Sequence, residues 1–361
     1  VGNAGAEGGK AGGVESPRRT SDDSKATAAP RVSVLLPARD AEATVEVAVR
    51  SILEQTLSDL EVIAVDDGSS DATGAVLARL AAEDERVRVL TTPGLGLVGA
   101  LNLGLTACHA PLIARMDADD ESLPRRLEVS VAALDANPAL AGVGTGVDIF
   151  RDDRPPSPNL QAYGRWLSSL TSPELLFRDR LVESPLCHPS VTLRRAALDA
   201  VAGWRDGDFP EDWDLWLRLL EAGHRLTAVS EVLHRWRDHD RRLTRQDARY
   251  ALERHLDLKA DVLARRFAGV PLTLWGATET GRGLARRLLA RGARVERFVE
   301  LSPRKVGQRI HGAPVVRPEA LGPPPEGHLL ACVAAKGARD DIREWLAARG
   351  WLEVRDFTCV A

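Results

Sequence analysis

"LEVIAVDDGSSDATGAVLARLAAED", residues 60–84, decides the fold. Its first eight residues are mostly apolar and β-branched and end in two aspartates, which reads as a buried strand. "GSSD" follows as a turn, with an N-cap at Ser70 or Asp71, and an amphipathic helix runs on from it. A strand, a short polar turn and a helix make one half of an α/β unit, and the chain repeats that pattern on either side.

Upstream, "RVSVLLPA" (31–38) is a strand ended by Pro37. In "EATVEVAVRSILEQT" the residues Val45, Val49, Ile52 and Leu53 keep helical spacing. Downstream come a strand "RVRVL" (86–90), a helix "LVGALNLGLTAC" and a strand "PLIARMD". Strands alternating with helices predict an open, mostly parallel sheet flanked by helices. Ligands in such sheets bind beyond the carboxyl ends of the strands, and Asp66/Asp67 and Asp117/Asp119 stand at two such ends.

From about 151 to 210 the pattern weakens. "RDDRPPSPN" reads as a loop, and "SPLCHPSVTLRRAAL" as a strand running into a helix. "DWDLWLRLLEAG" (212–223) is a helix stopped by Gly223, and "HLDLKADVLARRFAG" (255–269) is another. A second α/β start follows in "PLTLWGATETGRGLARRLLARGARVERFVEL", with a further strand in "HLLACVAA" and a helix in "DDIREWLAARGW". The expected division is a disordered tail at 1–30, an α/β domain at 31–250, a helical linker at 251–270 and a small Rossmann-like domain at 271–361. The tail is rich in Gly, Ala, Ser and charge and has no apolar core of a signal peptide.

Across 361 residues, 44% are hydrophobic and 28% charged, as in globular proteins. A net charge of −4 gives no basic field for nucleic acid. No apolar stretch approaches the roughly 20 residues of a membrane helix, so the expected location is cytoplasmic, with peripheral membrane association open. Cys108, Cys187, Cys332 and Cys359 are far apart and read as free thiols. Trp204, Trp213, Trp216 and Trp236 crowd one stretch, as a local core or as a platform for a ligand.

Three carboxylates in "IARMDADD" (113–120) repel one another. Either they form an ordinary acidic turn or a cation belongs among them. Mg²⁺ and Mn²⁺ take hard oxygen donors, often one or two carboxylates plus substrate phosphates. "VDDGSSD" is either a turn with a helix cap or a strand end that accepts hydrogen bonds from a nucleobase or ribose. Asp212, in "FPEDWDLWLRLLEAG", opens a helix. It reads as a cap or as a general base whose pKa is raised by Glu211, Asp214, Trp213 and Trp216 and lowered by the helix dipole.

The order "VSVLLPARDAE", "VDDGSSD", "GLVGALNLGLTAC", "IARMDADD", "CHPSVTLRR", "FPEDWDLWLRLLEAG", "LHRWRDHDRRLTR" resembles the family 2 glycosyltransferases over about residues 31 to 247. The resemblance implies an inverting enzyme with the GT-A nucleotide-diphospho-sugar transferase fold. It implies a nucleotide-diphosphate-sugar donor, with UDP as the expected nucleotide, a hydroxyl acceptor, and Mn²⁺ or Mg²⁺. Pro37, Ala38 and Glu42 match the first nucleotide-contacting loop, and Asp67 the aspartate that contacts the base. Asp117 and Asp119 match the DxD pair, with Asp119 as direct metal ligand and Arg115 beside the donor. Asp212 matches the catalytic base. Arg237 and His239 match an element near the diphosphate, with His239 as a metal ligand. His188, Glu211 and Trp213 are placed toward the acceptor. Arg39 and Asp40 depart from the family's aromatic and Asn, and Asp40 is also a candidate cap for the next helix.

Three other functions fit parts of the sequence. A scaffold that only binds nucleotide-sugars is disfavoured by the intact Asp119 and Asp212. A sugar nucleotidyltransferase needs a Gly-rich loop after the first strand, and "LLPARDAEAT" has none. A dehydrogenase built on 271–361 lacks a hydride-transfer site; its Gly276, Gly281 and Gly283 either bind a nucleotide, with Glu300 toward a ribose, or permit tight packing.

Overall fold

The computed structural model describes residues 29–324 and 327–361. The expected disordered tail falls outside the described residues except for 29 and 30. Eight strands among the described residues form one sheet: β1 (Val32–Ala38), β2 (Leu60–Asp67), β3 (Val87–Thr92), β4 (Leu112–Arg115), β5 (Glu121–Ser122), β6 (Leu140–Phe150), β7 (Thr192–Arg194) and β8 (Arg225–Arg237). Their spatial order is β3-β2-β1-β4-β7-β6-β8-β5. β3, β2, β1 and β4 run parallel, as do β6 and β8, while β7 is antiparallel to both its neighbours.

β2 is apolar throughout because both faces of the sheet are covered. Val62 and Ala64 pack with Val45, Val49 and Ile52 on one side, and Ile63 and Val65 pack with Val98 and Leu101 on the other.

The loops after β1 and β2 are stitched together. Ser70 N–H and its hydroxyl donate to Asp40 Oδ1 at 2.7 and 3.0 Å, and Ala72 N–H donates to Glu42 Oε2 at 2.9 Å. In return Ser69, Asp71 and Thr73 accept the amides of Asp40, Glu42 and Ala41. Asp40 therefore holds the neighbouring loop rather than capping its own helix. Asp71, not Ser70, takes the amide of Thr73, at 3.0 Å. Gly68 has φ +70°, and a Cβ there would stand 2.9 Å from Gly94 N. Only glycine lets these two turns touch.

Two long elements escape the sequence pattern. β6, "LAGVGTGVDIF", breaks its apolar pattern with glycines; a Cβ at Gly142 would meet Leu193 Cδ2 at 2.4 Å and one at Gly146 the Ser230 carbonyl at 2.8 Å. β8 carries charges through its apolar pattern because its carboxyl half borders the acidic turn. A helix also runs over Pro158–Ser169, where the sequence suggests a loop's continuation; the Ser157 hydroxyl caps it.

Six strands form the second sheet: β9 (Pro271–Trp275), β10 (Arg294–Val299), β11 (Arg309–Ile310), β12 (Ala313–Val316), β13 (His328–Ala331) and β14 (Phe357–Cys359). Its order is β11-β12-β10-β9-β13-β14, parallel except for β11. This is a Rossmann-like arrangement. Its glycine turn is filled by the protein. A Cβ at Gly281 would overlap the Gly276 carbonyl at 1.9 Å, and Glu300 accepts Ala277 N–H and pairs with Lys305 at 3.1 Å.

The helix Leu252–Arg266 lies between the two sheets. Its Leu256 and Leu263 share one core with Trp213 and Leu217 on one side and Leu272 and Leu274 on the other. The buried Lys259 ammonium donates to the carbonyls of Val182 and Val360 and sits 5.1 Å from the Trp213 ring centre. Trp204, Trp213 and Trp216 are core residues. No described helix is long and apolar enough to cross a membrane.

Gly68→Ala is expected to destabilise the chain by roughly 1–2 kcal/mol from its left-handed backbone alone, read as a lower denaturation midpoint in urea.

Candidate active site

β4 ends at Arg115, and the chain turns through the three aspartates into β5. Each aspartate has its own partner. Asp117 Oδ1 lies 2.6 Å from Arg115 Nη2. Asp119 Oδ2 lies 2.9 Å from His239 Nε2. Asp120 is 1% exposed; its Oδ2 meets His234 Nε2 at 2.9 Å and its Oδ1 accepts Arg237 N–H at 2.8 Å. Beneath the turn the buried Arg126 donates to the carbonyls of Arg115 and Pro189.

These partners divide the charge. Burial, and then the charges of Asp119 and Asp117, push Asp120 well above the ordinary carboxylate range. Burial likewise pushes His234 well below its usual value. The Asp120–His234 pair thus favours a neutral, hydrogen-bonded state. Burial also opposes charge on Asp119, but the His239 ring and the Arg242 charge outweigh it and hold that carboxyl below its ordinary value. Asp119 and His239 remain about one third exposed. Side-chain oxygens of Asp117, Asp119 and Asp120 come within 4.8 Å of one another, so the turn can hold a cation.

The helix Glu211–Glu221 brings a second carboxylate pair. Asp212 is half-buried, and its Oδ2 accepts the Ser184 hydroxyl at 3.0 Å. Burial raises it to about 6, against the opposing bonds from the Trp213 amide and Ser184. Glu211 is 3% exposed and accepts the Tyr250 hydroxyl at 2.6 Å. Burial and the neighbouring Asp212 raise it to about 7. A carboxyl in this range exchanges protons near neutral pH.

The two acidic groups converge. Arg126 ties the Arg115 carbonyl to that of Pro189, and the adjacent His188 has its Nδ1 3.8 Å from Glu211 Oε1. The Cys187 thiol, pushed far up by burial, feels Asp120, Asp117 and Asp212 together. Tyr163, whose hydroxyl donates to the Ser184 carbonyl at 2.9 Å, feels both Asp212 and Arg242.

Several expected residues have other tasks. Asp67 is buried; its oxygens accept the Thr92 hydroxyl and the amides of Leu95 and Gly96, at 2.5, 2.6 and 2.9 Å. It shapes the turn after β3. Glu42 holds the Ala72 amide, and Pro37 and Ala38 are buried at the end of β1. Arg237 is engaged by the Asp119 carbonyl, Glu121 and Asp152. Arg242 is the cation the sequence analysis missed; it lies over the Trp236 ring at 4.2 Å, and its charge acts on Asp119 and Asp120. The run "RDHDRR" offers nothing to separate it from Arg241.

The acceptor expectations are corrected. Trp213 is fully buried between the two sheets, with its indole N–H on the Arg180 carbonyl, and cannot touch an acceptor. His188 is buried, and its Nε2 takes the Trp204 indole N–H at 3.0 Å. Glu211 is covered by Tyr250. Tyr163, Ser184 and Tyr250 beside Asp212 carry no sequence motif and emerge only from folding.

Residues 33–202 match the family model described as Glycosyl transferase family 2. The chain is 30% identical over 233 residues to the putative glycosyltransferase EpsE of Bacillus subtilis (strain 168), covering 62% of this chain and 79% of that protein. It is 31% identical over 215 residues to the O-antigen biosynthesis glycosyltransferase WbnJ of Escherichia coli, covering 58% and 80%. In fold, it is similar to S. aureus TarS 1-349 in complex with UDP-GlcNAc, with a TM-score of 0.52 over 72% of each chain at 17% identity.

Asp120→Ala leaves His234 and the Arg237 amide without their partner and is expected to cost about 1–3 kcal/mol for each group left unsatisfied, whereas Asp119→Ala, at a part-exposed site, should cost under about 1 kcal/mol. Denaturation curves of the two variants check the contrast.

Proposed function

The chain belongs to glycosyl transferase family 2, and on that premise we propose that it moves a sugar from a UDP-linked donor to an acceptor hydroxyl, with inversion at the anomeric carbon. The observation that supports this reading is the Asp119–His239 pair on an acidic turn that Arg126, Pro189 and His188 connect to the Glu211–Asp212 pair. One end supplies charge for a diphosphate and the other a proton acceptor.

Asp119 and His239 would hold the divalent cation, with Asp117 at hand. The 2.9 Å contact brings the Asp119 Oδ2 and His239 Nε2 donors together at one point. An imidazole beside carboxylates favours Mn²⁺ over Mg²⁺. When bound, such an ion neutralises charge on a departing diphosphate. Arg242 adds a fixed positive charge at the same end. The turn after β3, held by Asp67, and the exposed Arg39 face the nucleotide.

Asp212 takes the proton of the acceptor hydroxyl as the oxygen attacks the anomeric carbon. The sugar–phosphate bond breaks on the opposite side, which inverts the configuration. Burial supports this role by making Asp212 a stronger base than a solvated aspartate. WbnJ is named for O-antigen biosynthesis, which supports a glycan or glycoconjugate as acceptor. The four buried free thiols suit a reducing cytoplasm.

A panel of nucleotide-sugars assayed for nucleotide-diphosphate release, with and without Mn²⁺, tests the reading. Release from at least one donor, raised by Mn²⁺, is the expected result; no release from any donor contradicts it. Asp119→Asn should remove the Mn²⁺ stimulation while the fold survives. Asp212→Asn should keep donor binding and lose turnover by about 10²-fold or more. Since the base works only when ionised, the wild-type kcat should fall as pH drops through about 6.

A further inference from the structure

We propose that the Rossmann-like unit carries a membrane-docking face, built from exposed arginines and leucines around the helix Glu279–Ala290, that binds the surface of an anionic phospholipid bilayer. The inference stands apart from the transferase reading. Residues 279–317 contain ten Lys or Arg against three Asp or Glu, a net charge of +7 in a chain whose total is −4. The whole-chain charge hides this segment, and the molecule is strongly polarised.

Four of the ten cations are neutralised within the protein. Arg287 pairs with Asp257 at 2.8 Å, Arg291 with Asp261 at 2.6 Å, Arg294 with Glu296 at 2.7 Å and Lys305 with Glu300 at 3.1 Å. Half-buried Arg297 donates to the Thr273 hydroxyl at 3.2 Å. The other five, Arg282, Arg286, Arg304, Arg309 and Arg317, are exposed, and no carboxylate among the described residues comes within 4.0 Å of them.

The fold gathers these groups from three segments. Arg282 and Arg286 stand one turn apart on the helix. The connection between β11 and β12, which follows Arg309, meets the same helix: His311 Nε2 lies 3.3 Å from the Arg282 carbonyl. The loop after β10 is tied to the residue just before the helix. Glu300 accepts the Ala277 amide and Lys305 donates to the Ala277 carbonyl, both at 3.2 Å. That loop carries Arg304 and Leu301, which is 68% exposed. Leu289, 37% exposed, continues the stripe of Arg282 and Arg286 two turns on. One acid, Glu279, is exposed on the first turn of the helix.

An anionic headgroup surface fits this mixture. Exposed arginines are drawn to lipid phosphates, and leucines beside them enter the boundary between headgroups and acyl chains. Nucleic acid would match the charge, but single strands are held by stacking on aromatic rings. Residues 279–317 have no Tyr or Trp, and their one Phe, Phe298, is buried.

Flotation of the full chain with lipid vesicles tests the assignment. Vesicles of phosphatidylcholine with phosphatidylglycerol should bind it, and vesicles of phosphatidylcholine alone should not. Added salt should weaken the binding as it screens the headgroup charge. The triple variant Arg282→Glu, Arg286→Glu, Arg309→Glu should bind the anionic vesicles at least about tenfold more weakly, with its melting temperature unchanged. Leu301→Ser should weaken vesicle binding by roughly two- to fivefold and leave any binding to a DNA duplex as it was. Equal binding to the two kinds of vesicle, or a triple variant that binds like the wild type, overturns the inference. Tighter binding to the DNA duplex than to anionic vesicles at the same salt, with no effect of Leu301→Ser on either, overturns it in favour of a nucleic-acid surface. If the charge-reversed triple variant does not fold, undiminished binding by the triple Gln variant at the same positions has the same force.

Discussion

A single buried carboxylate, Asp120, joins the two halves of the acidic end of the site. It takes His234 and the amide of Arg237 from β8, more than a hundred residues later in the chain. That anchor adds to the register set by β5, whose Glu121 and Ser122 pair with Arg235 and His234 of β8. His239 follows two residues beyond Arg237 and reaches Asp119 from there. The crowding of three aspartates is thus answered first by the protein. Arg115 pairs with Asp117, His239 with Asp119, and Asp120 gives up most of its charge by burial. A dication is not required to hold the turn together; Asp119 and His239 are the part left accessible to one.

The base end depends on the other half of the molecule. Asp212 is bonded to Ser184, next to the Val182 carbonyl that Lys259 holds, and Lys259 reaches across to Val360 near the chain's last strand. Tyr250 comes from the connection between the two sheets. The Rossmann-like unit, whose own glycine turn is closed by Glu300 and Lys305, therefore supports the surroundings of Asp212 through shared packing. Trp213, immediately after Asp212, is the centre of that packing, which is why it is buried rather than offered to a ligand.

β1, β2 and β4 were legible because both faces of the sheet are covered there. Complete burial leaves continuous apolar runs such as "LEVIAVDD", and their boundaries match β2 residue for residue. β6 and β8 were not legible. The glycines of β6 exist to admit Leu193 and the backbone of β8, a tertiary reason that no local pattern carries. The DxD turn and Asp212 could be picked out by residue type and position. Their partners could not: Arg237 looks like the phosphate-facing cation in sequence, but Asp152 and Glu121 hold it, and Arg242 stands by the acids instead. Asp67 was selected correctly as a strand-end acid, but its work is done on the backbone of the next turn.

The central claim is that the acidic turn and the carboxylate pair line one cleft. The chain has two tyrosines, Tyr163 and Tyr250, and both stand beside Asp212. Titrating Mn²⁺ into protein with ¹³C-labelled tyrosine rings, and recording their NMR line widths, tests that claim directly. Both ring signals should broaden in the wild type and stay sharp in Asp119→Asn. Unbroadened signals under saturating Mn²⁺, or equal broadening in the variant, would contradict the account.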